Sequence, residues 1–275
     1  MLGTMIALRR EGALAVATLV RPPVNAIDEE WLSCLEGVLD RLEGIAVLLL
    51  RSEQRAFSAG ADLELMRSRF DTPAGRQRMV GFVREMQRVF ARLEAAPQVT
   101  LAELGGPALG GGLELALACD LRIAAEEARL GLPEARLGLV PGAGGTQRLP
   151  RIAGEAVAKR LILGAEVVTG AQAVELNIVQ WAVPSAELEA RARSIAQDIA
   201  ALPGAALAEA KACIGAAHGY ERELEATATL LAQDATQARV RAFLEKRRPA
   251  APAPAPALRG RSRTARSAAR RRPAR

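Results

Sequence analysis

Pro107-Ala108-Leu109-Gly110-Gly111-Gly112-Leu113-Glu114-Leu115-Ala116-Leu117 runs three consecutive glycines straight into an apolar helical pattern. Glycines in that place leave backbone N–H groups bare at a helix start, where developing negative charge is stabilised. Twenty residues on, Gly131-Leu132-Pro133-Glu134 carries a second carboxylate, again inside apolar sequence. Taken singly, Glu114 suits the first turn of an exposed helix and Glu134 suits a capping acid. Together with oriented donors, two such carboxyls are the parts of a site that holds an oxyanion and moves protons. A carboxyl with apolar neighbours on nearly every side is costly unless it is paired or protonated.

The flanking sequence alternates strand and helix patterns. Thr4–Arg10 and Leu14–Val20 read as strands joined by a turn at Glu11-Gly12. Trp31, Leu32, Leu35, Val38, Leu39 and Leu42 recur at helical spacing. Ala46–Leu50, Val99–Leu104 and Leu121–Ala124 are continuous apolar runs of the kind buried on both faces of a parallel sheet. Met79 to Leu93 marks a long amphipathic helix ending near Pro97, and the Leu65–Arg78 segment before it lacks strong periodicity. From Gly154 the pattern is mostly helical, through Ala186–Ala200, Gly204–Ala216 and Tyr220–Arg247. The fold class is α/β with crossover connections.

Composition narrows the function classes. The chain has 275 residues and is 50% hydrophobic, with few aromatics, so its core is mainly aliphatic. Its longest apolar runs are too short to span a bilayer, and no signal-peptide pattern opens it. Cys34, Cys119 and Cys213 form neither a zinc pattern nor a disulfide framework, which suggests core thiols and a cytoplasmic setting. One histidine, His218, and no Cys/His cluster argue against a histidine-based metal site, and no metal is expected. Trp31 and Trp181 read as packing residues, and Cys119 as an apolar helix position.

The net charge of +6 is unevenly placed. Eleven Lys/Arg and no acid lie between Lys246 and Arg275, leaving 26 basic against 31 acidic residues in the rest. Pro249–Leu258 alternates Ala and Pro, and the last residues are Arg, Ser and Ala. Neither part can bury a core, so residues 250–275 are expected to be a disordered Ala/Pro/Arg tail. Such a tail would give salt-sensitive affinity for phosphates. It has no aromatic for base stacking, so it reads as a solvated extension rather than a nucleic-acid arm. Pro141-Gly142-Ala143-Gly144-Gly145-Thr146 is a second glycine loop before a helix. It lacks the Gly-Lys-Ser/Thr ending of a Walker A loop, which argues against nucleotide hydrolysis.

Several motifs agree in order and spacing. Ala56-Phe57-Ser58-Ala59-Gly60-Ala61-Asp62-Leu63, the glycine stretch through Glu114, Pro133-Glu134, and Gly138–Leu149 together resemble the crotonase superfamily of enoyl-CoA hydratases and isomerases. Arg21-Pro22-Pro23-Val24-Asn25-Ala26 and Ala242–Arg247 resemble its N- and C-terminal signatures, so the resemblance covers roughly residues 4–249. Val20, Arg55 and Gly105 depart from the family's frequent residues without touching the chemistry.

The resemblance implies a ββα spiral core over residues 1–195 and a C-terminal helical trimerisation region over 196–249, assembled as trimers or pairs of trimers. It implies an acyl-CoA thioester substrate and no cofactor, coenzyme A being part of the substrate. Ala61 and Gly111 match the oxyanion-hole amides, and Glu114 and Glu134 the two catalytic acids, with the helix after Gly111 adding its positive end. Val24, Ala59, Asp62, Leu63, Gly110, Pro133 and Gly142 lie in stretches that line the CoA and thioester path. Phe243 and Lys246 match C-terminal positions that hold the CoA nucleotide. Two acids favour hydration of a trans-2-enoyl-CoA over double-bond isomerisation, which needs one proton shuttle.

Overall fold

The computed structural model describes residues 5–246, with the side chains of the last two left aside. The hydrophobic runs form a six-stranded sheet in the order β1-β2-β3-β4-β6-β9. Its strands are β1 (Ile6–Glu11), β2 (Leu14–Leu19), β3 (Val47–Ser52), β4 (Val99–Leu104), β6 (Leu121–Ala125) and β9 (Trp181–Val183). β1 and β2 are antiparallel, and every other neighbouring pair is parallel. The central strands are buried along almost their whole length, which explains why they read as unbroken apolar runs. The edge strand β1 is instead exposed or half-buried, with only Ile6 fully buried. The β1–β2 turn sits one residue later than expected: Glu11 pairs with Leu14, so Gly12-Ala13 forms the turn.

A second sheet, in the order β5-β7-β8, joins β5 (Ala108–Leu109), β7 (Arg129–Gly131) and β8 (Val167–Thr169). After Gly154 the chain is mostly helical, as expected, but two short strands that the sequence did not show, β8 and β9, interrupt it. Each has three residues, too few to show a period of two. α1 (Glu29–Leu39) is capped by Asp28, whose Oδ1 accepts from Trp31 N at 2.8 Å, and it buries Trp31, Leu32, Leu35 and Val38.

The periodic segment starting at Met79 is the later part of α3 (Pro73–Glu94). Thr72 caps its Gly75 N–H and Pro73 opens its first turn. Its first turns are largely exposed and polar, so periodicity missed them. Just upstream lies the short α2 (Leu63–Arg67). α3 packs on α1. α4 (Gly111–Leu117) is buried at every residue, and α5 (Gly145–Ala153) packs against it. α6 (Glu155–Leu163) and α7 (Gly170–Glu175) follow, and α8 (Ser185–Ala200) covers β3, β4 and β6. α9 (Gly204–Cys213), α10 (Gly219–Leu231) and α11 (Asp234–Lys246) complete the described chain. The expected helix Tyr220–Arg247 is thus two helices, and Arg247 lies outside the described residues, as does the 250–275 tail.

The chain divides into two compact units, one through Leu230 and one from Leu231. The loops and helices that form the candidate site all belong to the first. Among the described residues no helix is long and apolar enough to cross a membrane, and no cluster of side chains could hold a metal ion.

One buried cation fixes the far end of α4. Arg122, 2% exposed, donates to the carbonyls of Cys119 and Ile178 at 2.7 Å each and to that of Ala116 at 3.4 Å. It closes the α4 C-terminus and ties it to the approach to β9. Arg122→Leu strands the Cys119 and Ile178 carbonyls, and a urea titration should show a loss of about 3 kcal/mol. A loss below about 1 kcal/mol would mean that water satisfies these carbonyls instead.

Candidate active site

The loop before α2 and the loop before α4 are laced together. Ser58 bridges to Ala108, with Ser58 N donating to Pro107 O at 3.3 Å and Leu109 N to Ser58 O at 3.1 Å. Gly112 is required for this approach, because a Cβ there would collide with the Ser58 carbonyl. The buried Asn25 braces the first loop from behind. Its Nδ2 donates to Ser52 Oγ (2.8 Å), Ala56 O (3.2 Å) and Phe57 O (3.0 Å), and its carbonyl accepts from Ser58 Oγ at 2.7 Å. Asn25 is a positioning residue that the sequence displayed only as part of a signature.

This lacing sets Ala61 beside Gly111. Among the described residues neither N–H donates to a protein acceptor: Ile27 pairs with Gly60 O and with the Asp62 N–H, on either side of Ala61. Gly111 opens α4, so its N–H has no intrahelical partner. The structure thus brings together the two amides the sequence singled out. α4 is only seven residues long, so its own macrodipole is short and the two bare N–H groups are the main source of positive potential at its start.

Both carboxyls reach the same place. Glu114, one turn into α4 and 2% exposed, accepts from Gly145 N at 2.7 Å through Oε1. That donor is the start of α5, in the second glycine loop, and nothing in the sequence signalled this pairing. Burial pushes the Glu114 carboxyl up to about 7; the Gly145 and Ala143 amides pull the other way, and the neighbouring Glu134 charge adds to the rise. Glu134 sits in a 3-10 turn over Pro133–Leu137, and burial raises its carboxyl also. Its Oε2 is shielded from solvent without a hydrogen-bond partner. Its Oε1 lies 2.9 Å from where a Cβ on Gly110 would stand, directly beside the amide pair.

The raised Glu114 carboxyl has a consequence for stability. Between its ordinary 4.5 and about 7, the folded protein keeps a proton that the unfolded chain has released. Stability therefore falls as pH rises through that window, and the loss is complete above about 7. Glu114→Gln removes the effect. Denaturant titrations should find it equal to wild type near pH 4 and more stable by roughly 3 kcal/mol at pH 8. An unchanged pH slope would assign the effect elsewhere.

A cavity of about 390 Å³ opens over these groups. Ala59, Ala61, Leu63, Gly110, Gly111, Glu114, Pro133, Glu134 and Gly142 all line it, as the sequence suggested. Val24 and Asp62, suggested from the neighbouring loops, do not. Val24 is behind the wall, its carbonyl holding Ala59 N at 3.0 Å. The Asp62 carboxylate is engaged at 3.0 Å with Arg21 and caps α2 through Glu64 N (2.9 Å) and Leu65 N (3.2 Å). Phe243 lies on α11 in the second unit, and the Lys246 side chain is among those left aside. The structure puts Met66 and Phe70, from the aperiodic Leu65–Arg78 segment, in the wall beside Val83 and Met86, whose helix face read from the sequence simply as core.

Known proteins resemble this chain in sequence and in fold. A family profile described as enoyl-CoA hydratase/isomerase matches residues 9–251. A Bacillus subtilis protein named "Probable enoyl-CoA hydratase" is 37% identical over 255 residues, covering 89% of this chain and 97% of its own. The "Short-chain-enoyl-CoA hydratase" of Clostridium acetobutylicum is 38% identical, covering 70% of this chain and 74% of its own. Among solved structures, Pseudomonas aeruginosa DspI superposes with a TM-score of 0.83 at 34% identity, covering 89% of this chain and 95% of that one. An enoyl-CoA hydratase from Bacillus anthracis does so with a TM-score of 0.81 at 34% identity, covering 88% and 97%.

Proposed function

The chain belongs to the enoyl-CoA hydratase/isomerase family, and from that premise we propose that it adds water syn across the double bond of a trans-2-enoyl-CoA to give a 3-hydroxyacyl-CoA. The observation that carries this reading is the pair of shielded carboxyls, Glu114 and Glu134, at one end of an apolar cavity beside two amides without acceptors.

An α,β-unsaturated thioester is a weak electrophile until its carbonyl is polarised. The Ala61 and Gly111 N–H groups bond the thioester oxygen and hold it most strongly as the transition state becomes enolate-like. One water sits between the two carboxyls. The ionised carboxylate takes a proton from it as its oxygen bonds C3. The C2=C3 π pair moves toward the thioester oxygen and returns to C2, where the protonated carboxyl delivers its hydrogen. The O–H bond of water and that of the acid break, and C3–O and C2–H form. The pair ends with the single proton it began with. Both new bonds come from the same side, which makes the addition syn.

That proton is why burial matters. An exposed pair would be doubly ionised near neutrality. Here desolvation raises both carboxyls, and their mutual repulsion makes the titration a property of the pair. Isomerisation would use one carboxyl as a shuttle and leave the second shielded acid without a task, so the two-acid site favours hydration.

The test is loss of the conjugated-enoyl absorbance of trans-2-enoyl-CoAs with the purified full chain. Loss with appearance of the 3-hydroxy product supports the proposal. No loss, with acyl-CoA bound, overturns hydration, and 3-enoyl substrates would then be assayed for isomerisation.

A further inference from the structure

Three of the chain's five methionines, Met66, Met79 and Met86, line this cavity. Met79, Val83 and Met86 recur on α3 at spacings of four and three, so they share a face. This stripe has a fixed origin. A Cβ on Gly111 would lie 3.0 Å from Met86 Cε, so Met86 stands at the amide that binds the thioester. Met79 is seven residues nearer the helix start, ~10 Å along the axis at ~1.5 Å per residue, which is the length of about eight carbon–carbon bonds of an extended hydrocarbon.

The chemistry of the wall selects the kind of group that lies along the stripe. Beyond Glu114, Glu134 and the loop amides, its side chains are apolar, with Met66 and Phe70 adding to it. A pantetheine arm laid along Met79 and Val83 would leave its amides without side-chain partners, which is costly. A hydrocarbon tail loses nothing there. Methionine side chains adapt to a flexible chain better than branched ones do. A methylene takes about the room of a water molecule, so a four-carbon acyl group occupies only about 100 Å³, while the cavity, which also seats the thioester, is about 390 Å³.

We propose that the site prefers medium-chain 2-enoyl thioesters, of roughly eight to ten acyl carbons, over four-carbon ones, and that the Met79–Val83–Met86 stripe of α3 measures the chain. The proposal rests on the hydratase reading for the position of the thioester.

Hydration of the four-, six-, eight-, ten- and twelve-carbon trans-2-enoyl-CoAs tests it. A buried methylene is worth roughly three- to fourfold. The expected kcat/KM therefore rises at least tenfold from four carbons to about ten. Met79→Trp should lower the ten-to-four-carbon ratio at least tenfold, and Met79→Ala should move the optimum to longer chains. A profile that peaks at four carbons, stays flat, or ignores both variants overturns the proposal. Calorimetric binding of butyryl- and decanoyl-CoA separates the two readings. If no enoyl-CoA is hydrated yet decanoyl-CoA binds at least tenfold tighter and Met79→Trp abolishes the difference, the hydratase reading fails and the chain-length assignment stands. Equal affinities would overturn the assignment whatever the catalytic result.

Discussion

Glu134→Gln is expected to lower hydration of a trans-2-enoyl-CoA by about 10³-fold while acyl-CoA affinity stays within a few-fold. The amide keeps the size and the apolar contacts of the carboxyl but can neither give nor take the proton. Substrate binding would draw on the apolar side chains of the cavity wall and on the Ala61 and Gly111 amides, none of which the change touches. A shielded Oε2 without a protein partner has no structural bond to lose, so the fold should be intact. Glu114→Gln should lose a similar factor for the same reason. The double variant should be little worse than either single one, because the carboxyls act on one water as a unit. Steady-state kinetics beside a binding measurement decides the matter. Near-wild-type turnover in either variant would remove that residue from the mechanism.

The second large effect is expected from Gly60→Ala. Gly60 has φ +90°, and a Cβ there would lie 2.8 Å from Leu109 O and 2.9 Å from Gly111 N. These atoms are backbone, so the loops must move apart. The gap that opens is the one across which, on the proposed mechanism, Ala61 and Gly111 share the thioester oxygen. Misplacing one such donor costs on the order of 10²–10³ in turnover, and the strained backbone costs about 1–3 kcal/mol of stability. Gly12→Ala is the control. Gly12 also has positive φ, +62°, but nothing stands within 4 Å of a Cβ there. It should lose stability and keep its kcat. If Gly60→Ala lost no more activity than Gly12→Ala, the close approach of the two loops would not be what holds the donors.

Much of the core sheet was legible because burial on both faces leaves unbroken apolar runs: β4 occupies the expected Val99–Leu104, and β3 and β6 lie within two residues of the expected bounds. The glycines of the two laced loops were legible for a related reason. Where a Cβ would strike backbone, as at Gly112, only one residue type fits, so the motif is local and specific. Family and candidate chemistry followed from such positions.

What the sequence by itself determined was each piece of backbone that makes its own demand: the apolar strands, the bare amide at Gly111, and the carboxyls set in apolar surroundings. Only the tertiary structure decided how distant pieces meet. It placed the Gly145 N–H on Glu114, thirty-one residues away, and brought Met66, Met79 and Met86 onto one cavity. It turned the Asp62 carboxylate to Arg21 and to a helix start rather than into the cavity. The physical reason is range. A strand's burial or a glycine's missing Cβ acts on the chain's own neighbours, whereas apolar contact is non-directional and names no partner. Which methionine meets which wall is settled only when all the loops close together.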